Sequence, residues 1–360
     1  MKIFYDYQIF YWQRYGGIST YFCNLIENLK FLNNDLKIIS PVYINELIGG
    51  HNLNNQIHGN KITKIPRYSR KFLRYLNDIY FEYYCFKNKA DIIHHTYYEK
   101  IFDFGKKKNI LTVYDLIHEK SLKNNTKDYF RAKANAIAKA DHIICISENT
   151  QRDLIEFYKV EKEKTSVVYL ASSYNSQPLK KKDTTQFILY VGDRRGYKNF
   201  NNFIYAISLS SQLKNKIKVI CFGGGNFSKD EMVKFKDLGF KEKMILYYDG
   251  KNSELEKLYL NAALLVYPSK YEGFGLPILE AMSLGCPVAC SNTSSLVEVG
   301  GNSVKYFDPE NIENIKDSIE YVLLSESNQK KLIQKGIVQN MKFSWSLCSK
   351  ETMLIYKNVV

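Results

Sequence analysis

Apolar residues in this chain gather into short runs, each too brief for a helix and each closed by polar residues, glycine or proline, with stretches of helical spacing between them. Ile3 to Tyr5, Leu36 to Tyr43, Asp91 to His95, Asn109 to Tyr114, Asp141 to Ser147 and Thr165 to Ala171 read as strands in the first half. Gln186 to Gly192, Lys216 to Phe222, Lys243 to Tyr248, Ala262 to Tyr267 and Cys286 to Cys290 read the same way in the second. Continuous apolar strands of this length belong to sheets covered on both faces. Helical periodicity covers Tyr21 to Leu29, Phe72 to Phe86, Asp128 to Lys139, Ser147 to Tyr158, Asn199 to Leu213, residues 310–340 and Phe343 to Tyr356, while residues 45–70 are polar and receive no regular structure. Ser253 with Glu256 predicts a capping box at the start of the helix that runs to Ala262. Strand and helix alternating throughout predict an α/β chain with doubly wound parallel sheets. The polar, lysine-rich segment around Pro178 divides it into residues 1–172, a linker 173–185, a second domain 186–340 and a closing helix 341–360.

The chemistry concentrates in YPSKYEGFGLPILEAMSLGCPVACSN, Tyr267 to Asn292. A strand ends at Pro268, Gly273 and Gly275 flank Phe274 in a sharp turn, and Pro277 suits the first turn of a helix. Exposed amides at Gly273, Phe274, Gly275 and Leu276 ahead of a helix N-terminus favour an anion. Glu272 and Glu280 stand eight residues apart on either side of this turn, carboxylates able to accept paired hydroxyl hydrogen bonds. The same residues also describe a buried strand, loop and helix with two solvated glutamates. After the strand ending at Gly192, the turn DRRGYKN brings Arg194, Arg195 and Lys198 to a strand mouth, and Gly223 to Gly225 follow the next strand without dinucleotide-fingerprint spacing. In the first half, Gly16 and Gly17 open a helix after the first strand. His94, His95, Thr96, Asp115 and His118 lie at or beyond strand carboxyl ends, where open parallel sheets bind ligands.

Several of these segments resemble the retaining GT-B glycosyltransferases of family 4. Glu272 to Glu280 with GFGLPILEAM between and around them is similar to that family's donor-binding motif; YVGDRRGYKNF resembles its diphosphate-binding turn, RYGGISTYF its first glycine loop, and HHTYYEK with LTVYDLIHEKS its paired first-domain segments. The resemblance implies a GT-B fold of two facing Rossmann-like domains, with the last helix returning to the first. It gives Glu272 the donor sugar's hydroxyls together with the amides after it, Glu280 the nucleotide ribose, Arg194 and Lys198 the diphosphate, and Gly17 a place near the donor. Departures from the pattern accompany it. Tyr114 stands where many members carry histidine, which moves the part near the reacting carbon to Asp115 or His118 ahead of His94 and His95. Asp193 stands where some members have arginine, and Val297 replaces the proline before Glu298. By the same resemblance the chain is a glycosyltransferase of surface polysaccharide biosynthesis that retains anomeric configuration. Its expected partners are a nucleotide sugar, GDP-mannose being favoured, and a glycan or polyprenyl-diphosphate-linked acceptor. A sugar-nucleotide epimerase is the alternative enzyme on such a scaffold.

Composition sharpens part of this picture. No Asp-x-Asp pair occurs, so no metal and no cofactor is expected, and the charge on a leaving diphosphate would fall to Lys198, Arg194 and helix N-termini. The seven cysteines include no CxxC pair and suggest neither a zinc site nor a disulfide framework. Met1 leads directly into KIFYDY without a signal peptide and no apolar run approaches a membrane span, which predicts a cytoplasmic chain. A formal net charge of +14 calls for an anionic partner. Between Glu46 and Asp78 there is no acid, and Lys61, Lys64, Arg67, Arg70, Lys71 and Arg74 interleave with Tyr68, Phe72 and Tyr75. That mixture fits an anionic membrane surface on the inner face of the cell membrane as well as it fits a solvated basic face. No nucleic-acid-binding module accompanies the charge, so nucleic acid is not expected as a partner.

Overall fold

Among the described residues every strand pairing is parallel. The computed structural model describes the chain except residues 34, 67, 103, 104, 106, 122–126 and 175–185, and the side chains of residues 121 and 127–129. Arg67 and all of the expected linker beyond Tyr174 therefore lie outside the described residues. Among the described residues the strands form two sheets. The first contains β1 (Ile3–Tyr5), β2 (Leu36–Tyr43), β3 (Ile57–Lys61), β4 (Ile92–His95), β5 (Lys108–Val113), β6 (His142–Cys145) and β7 (Thr165–Val167), in the order β3-β2-β1-β4-β5-β6-β7. The second contains β8 (Phe187–Val191), β9 (Lys218–Phe222), β10 (Ile245–Tyr248), β11 (Leu264–Tyr267), β12 (Val288–Ser291) and β13 (Lys305–Phe307), in the order β10-β9-β8-β11-β12-β13. Both are Rossmann-like. In each, the chain moves outward on one side of its first strand and then returns to the other side. This leaves a point where strand order reverses, between β1 and β4 in one sheet and between β8 and β11 in the other, and such points open a crevice at the strands' carboxyl ends.

Two compact units correspond to the sheets. One comprises Met1–Leu170 with Ser344–Val360, the other Ala171–Phe343. In the first unit the central strands β1 and β4 are buried residue by residue, because helices cover both of the sheet's faces. The last helix, Trp345–Val359, belongs to this unit and is capped by Ser344, whose hydroxyl accepts from the Leu347 amide. Its Tyr356 hydroxyl lies 2.9 Å from that of Tyr5 and 2.6 Å from Nδ1 of His94. In the second unit Tyr190, Phe200, Phe203 and Phe235 gather beneath β8 and β9 with Ile315, Ile319 and Val322 of a later helix.

Several details differ from the expectations drawn from sequence, among them the edge strand β13 and the short helix Gln8–Trp12, which were not expected. Residues 45–70 hold a short helix, Leu47–Gly50, and the edge strand β3. The sequence of β3, IHGNK, carries too little apolar pattern to announce itself, but Gly59 lets it close on β2: at φ +151°, a Cβ there would fall 1.7 Å from the Ser40 carbonyl oxygen. The capping box expected at Ser253 and Glu256 does not form. That helix begins at Asn252 after an N-cap at Lys251, so Ser253 is already inside it. A capping box is present instead at Ser228 and Glu231, opening the helix Lys229–Asp237, whose polar sequence buries only Phe235.

Candidate active site

In the second unit, the segments that follow β8 and β11 meet beyond the strand-order reversal. After β11 the chain runs through Pro268 to Gly275 and enters the helix Leu276–Ser283, with Gly275 as its N-cap and Pro277 in the first turn. Gly275 takes φ +108°, and a Cβ there would lie 2.8 Å from Cδ2 of Leu296, so both backbone angle and space require glycine. Two hydroxyls from the segment after β12 fix this loop. Ser294 Oγ accepts from the Glu272 amide at 3.0 Å, and Ser295 Oγ stands 2.9 Å from the carbonyl oxygens of both Glu272 and Phe274. The Phe274 ring is buried edge-on against Phe343 at 6.1 Å. Gly273, Phe274 and Gly275 are thereby held in one conformation, with Leu276 opening the helix.

Glu272 is 8% exposed, and its Oε1 lies 2.6 Å from the ammonium of Lys198. Lys198 closes the short 3-10 turn Gly196–Lys198 after β8, and the Lys270 amide donates to the Tyr197 carbonyl at 2.8 Å, joining the two loops. The same ammonium is 3.2 Å from the Tyr267 hydroxyl and 5.3 Å from the ring centres of Tyr197 and Tyr267. Burial alone would lower the Lys198 pKa, but Tyr267 and the Glu272 carboxylate overturn this and raise it above the ordinary lysine value. A cation is thus held at the mouth of the reversal with a carboxylate as its direct partner.

Glu280 lies one turn into the helix. Its Oε2 accepts from the Tyr259 hydroxyl at 2.9 Å. Burial pushes its pKa up to about 7, and the Tyr259 hydrogen bond opposes this only in part. Arg194 is placed differently from Lys198. It is 7% exposed, its Nε is 2.6 Å from Glu231 Oε1, and its terminal nitrogens donate at 3.1 Å to the carbonyls of Gly223 and Asn226. Its guanidinium also stacks 4.7 Å from the Phe227 ring centre. These bonds tie the β8 turn to the glycine loop after β9. Arg195 is exposed and paired with Asp193 at 2.7 Å. Glu298 falls in the first turn of the helix Leu296–Gly300.

In the first unit, Gly17 is the first residue of the helix Gly17–Leu29, and among the described residues beyond its chain neighbours and its own helix backbone nothing lies within 4 Å of the position a Cβ would take. Asp115 follows β5 and accepts from the Ile117 amide at 3.2 Å. Burial raises its pKa, with Lys133 opposing, and the Lys133 ammonium donates to the Asp115 carbonyl oxygen at 2.7 Å while pairing with Glu119 at 2.9 Å. His118 is exposed on the short helix Ile117–Ser121. His94 and His95 are fully buried. His94 pairs with Tyr356 and Thr112, and His95 with Asp6 at 2.9 Å and Asn109 at 3.0 Å. Burial followed by the neighbouring His95 lowers the His94 pKa to about 3, leaving it neutral. Tyr114, which directly follows β5, donates its hydroxyl to the Thr96 carbonyl at 3.0 Å.

Sequence reading did not single out Asp6, Tyr259, Ser294 or Ser295. Asp6 directly follows β1 and is fully buried at that sheet's reversal, accepting from the amides of Gln8 and Thr96. An acid directly after an apolar strand was the available signal. The serines and Tyr259 act from segments distant in sequence, where nothing local marks them.

Comparisons with known proteins cover both units. The model described as "Glycosyltransferase Family 4" matches residues 15–171, and "Glycosyl transferases group 1" matches residues 172–339. O-antigen chain mannosyltransferase B of Escherichia coli is 35% identical over 173 residues, which is 48% of this chain and 45% of that protein. O-antigen chain mannosyltransferase RfbU of Salmonella typhimurium is 31% identical over 204 residues, 54% of this chain and 57% of that protein. The chain thus spans about half the length of these curated relatives. Among solved structures, a glycosyltransferase from Rickettsia africae superposes with a TM-score of 0.72 at 18% identity, covering 99% of this chain and 98% of its own, a likeness of fold.

Proposed function

Because this chain belongs to the family 4, group 1 glycosyltransferases, we propose that it transfers a glycosyl residue from a nucleotide sugar to a glycan or lipid-linked oligosaccharide in surface polysaccharide biosynthesis. The observation that carries this reading is the Lys198 and Glu272 pair, 2.6 Å apart at the strand-order reversal of the second unit. A diphosphate arriving there meets a buried cation. Its developing charge, as the glycosidic bond to the nucleotide breaks, is stabilised by a donor already in position. Glu272, released from sole partnership with Lys198, accepts from the sugar's hydroxyls beside the amides of Gly273 to Leu276, and Glu280 accepts from the ribose hydroxyls. Arg194 then acts as a brace of the glycine loop, with Lys198 the principal cation. On the acceptor side we assign Asp115, whose carboxyl burial raises in pKa, ahead of the exposed His118. Two of the relatives named above are O-antigen chain mannosyltransferases, which supports a mannosyl donor such as GDP-mannose; retention of anomeric configuration completes the reading.

The test is calorimetric titration with a panel of nucleotide sugars, followed by transfer assays with and without acceptor. One nucleotide sugar should bind selectively, and product should require acceptor. Lys198→Ala and Glu280→Ala should each lower turnover by about a hundredfold or more, the scale of losing one preorganised stabilising group. Wild-type turnover in either variant removes the site assignment, and conversion of the donor without acceptor indicates an epimerase.

A further inference from the structure

The helix Arg70–Asn88 of the first unit packs one side inward and leaves the opposite side apolar and uncovered. Asn77, Phe81 and Cys85 are buried, with Leu73, Tyr80 and Tyr84 packed against the cluster that holds Phe4, Ile39 and Phe102. On the other side Phe72, Leu76, Ile79, Tyr83 and Phe86 follow spacings of four, three, four and three residues. At about 100° per residue this forms a single straight stripe. The exposures run from 39% at Leu76 to 79% at Phe86, so the stripe faces solvent along the whole helix. Isolated apolar residues on a surface need no explanation, but a contiguous row marks an interaction face.

The charges beside the stripe say what covers it. On the helical wheel Lys87 lies beside one edge of the stripe and Lys71 beside the other, an edge it shares with Glu82, and Lys64 precedes the helix, as does Lys61, which pairs with Glu46, in a stretch that has no acid from residue 47 to residue 77. The two acids of the helix are engaged with neighbours: Asp78 accepts from the Tyr7 hydroxyl at 2.7 Å, and Glu82 from the Lys100 ammonium at 2.8 Å. A second copy of the chain would bring cations against cations across a shared stripe. An anionic lipid surface offers negative headgroups to the rims and an interfacial layer in which Phe and Tyr rings settle. We propose that the outward face of this helix, centred on Phe72, Ile79, Tyr83 and Phe86 and bordered by Lys71 and Lys87, docks the protein on an anionic membrane surface, lying along it without spanning it. Among the described residues no helix is long and apolar enough to cross a membrane.

Co-sedimentation with vesicles of phosphatidylcholine alone and of phosphatidylcholine mixed with phosphatidylglycerol tests this on the full chain. Wild-type protein should bind the mixed vesicles at least about tenfold more tightly than the neutral ones, and the difference should collapse in high salt. With roughly fivefold contributed per cation near such a surface, Lys71→Gln with Lys87→Gln should weaken binding about 25-fold. Phe72→Ser with Phe86→Ser should weaken it at least about tenfold. Unchanged thermal unfolding and unchanged transfer to a water-soluble acceptor would show that both variants are folded, since none of these residues belongs to the donor site. Equal binding to both vesicle types, or variants that bind as wild type does, overturns the proposal. So does a lipid-free dimer in sedimentation velocity that the Phe variant dissociates, since the stripe would then be a contact between copies.

Discussion

Glu280 is a carboxyl whose pKa burial lifts from the ordinary glutamate range to about 7, which makes it a liability in the ligand-free chain. In the unfolded chain it titrates near its usual value, so between that value and about 7 the folded state holds a proton that the unfolded state has lost. The folded chain therefore loses stability as pH rises through that window, and at pH 8 it carries the full penalty. Glu280→Gln should therefore raise stability at pH 8 by something on the order of 2 kcal/mol and leave it little changed at pH 4, as read by denaturant titration at the two pH values. A ligand that donates hydroxyls to the carboxylate favours the ionised form. Donor affinity in the wild type should then improve from pH 6 to pH 8, and the Gln variant should bind weakly with a flat profile. A pH-independent wild-type affinity would remove the ribose role. Lys198 behaves in the opposite way. Lys198→Met deletes a cation that Glu272 now faces at 2.6 Å; it should lower stability as well as turnover, because the carboxylate keeps its burial and loses its partner.

At the scale of elements, the turn from β11 into the helix Leu276–Ser283 owes its shape to groups outside itself. Ser295→Ala withdraws one hydroxyl from two carbonyls. It should cost about 1–3 kcal/mol in thermal or chemical unfolding, with a rise in the donor KM that exceeds any fall in kcat. Gly275→Ala should do more, since it strains the backbone and meets Leu296; adding Leu296→Ala should recover the steric share only, as a double-mutant cycle would measure. The contrast explains what the chain's pattern disclosed. The turn glycines, Pro277, Glu272 and Glu280 are local signals, legible because an apolar run stops and a helix starts within a few residues. Ser294, Ser295 and Tyr259 reach the site through tertiary structure, and a serine after a strand looks the same whether or not a carbonyl awaits it. Edge strand β3 and the helix Lys229–Asp237 escaped notice for the converse reason: each buries so little that its sequence is almost wholly polar. Arg194 shows a further limit, for the sequence of a cation beside a glycine turn does not disclose a partner such as Glu231, which comes from a distant helix.

For the molecule as a whole, the decisive feature is that the first unit is assembled from both ends of the described chain, with the second unit a continuous insert between them. Alternation of strands and helices disclosed the two sheets, and the amphipathic pattern of the final segment disclosed its helix. The join rests on a buried polar cluster: the Tyr356 hydroxyl serves Tyr5 and His94 at once. Tyr356→Phe should destabilise the first unit by about 1–3 kcal/mol, leaving His94 short of a partner, while donor binding in the second unit is unaffected. A melt that moves both units equally would mean that they unfold together.

This arrangement also orders events during synthesis. A ribosome delivers Met1 to Leu170 early, yet the surface that receives Trp345 to Val359 must stay uncovered while the intervening unit is made. The insert emerges in one piece and has all its own strands in hand first. Domains that complete during translation generally do so as they emerge; here Tyr5 and Tyr21 would reach their final packing only once Tyr356 and Trp345 have been made.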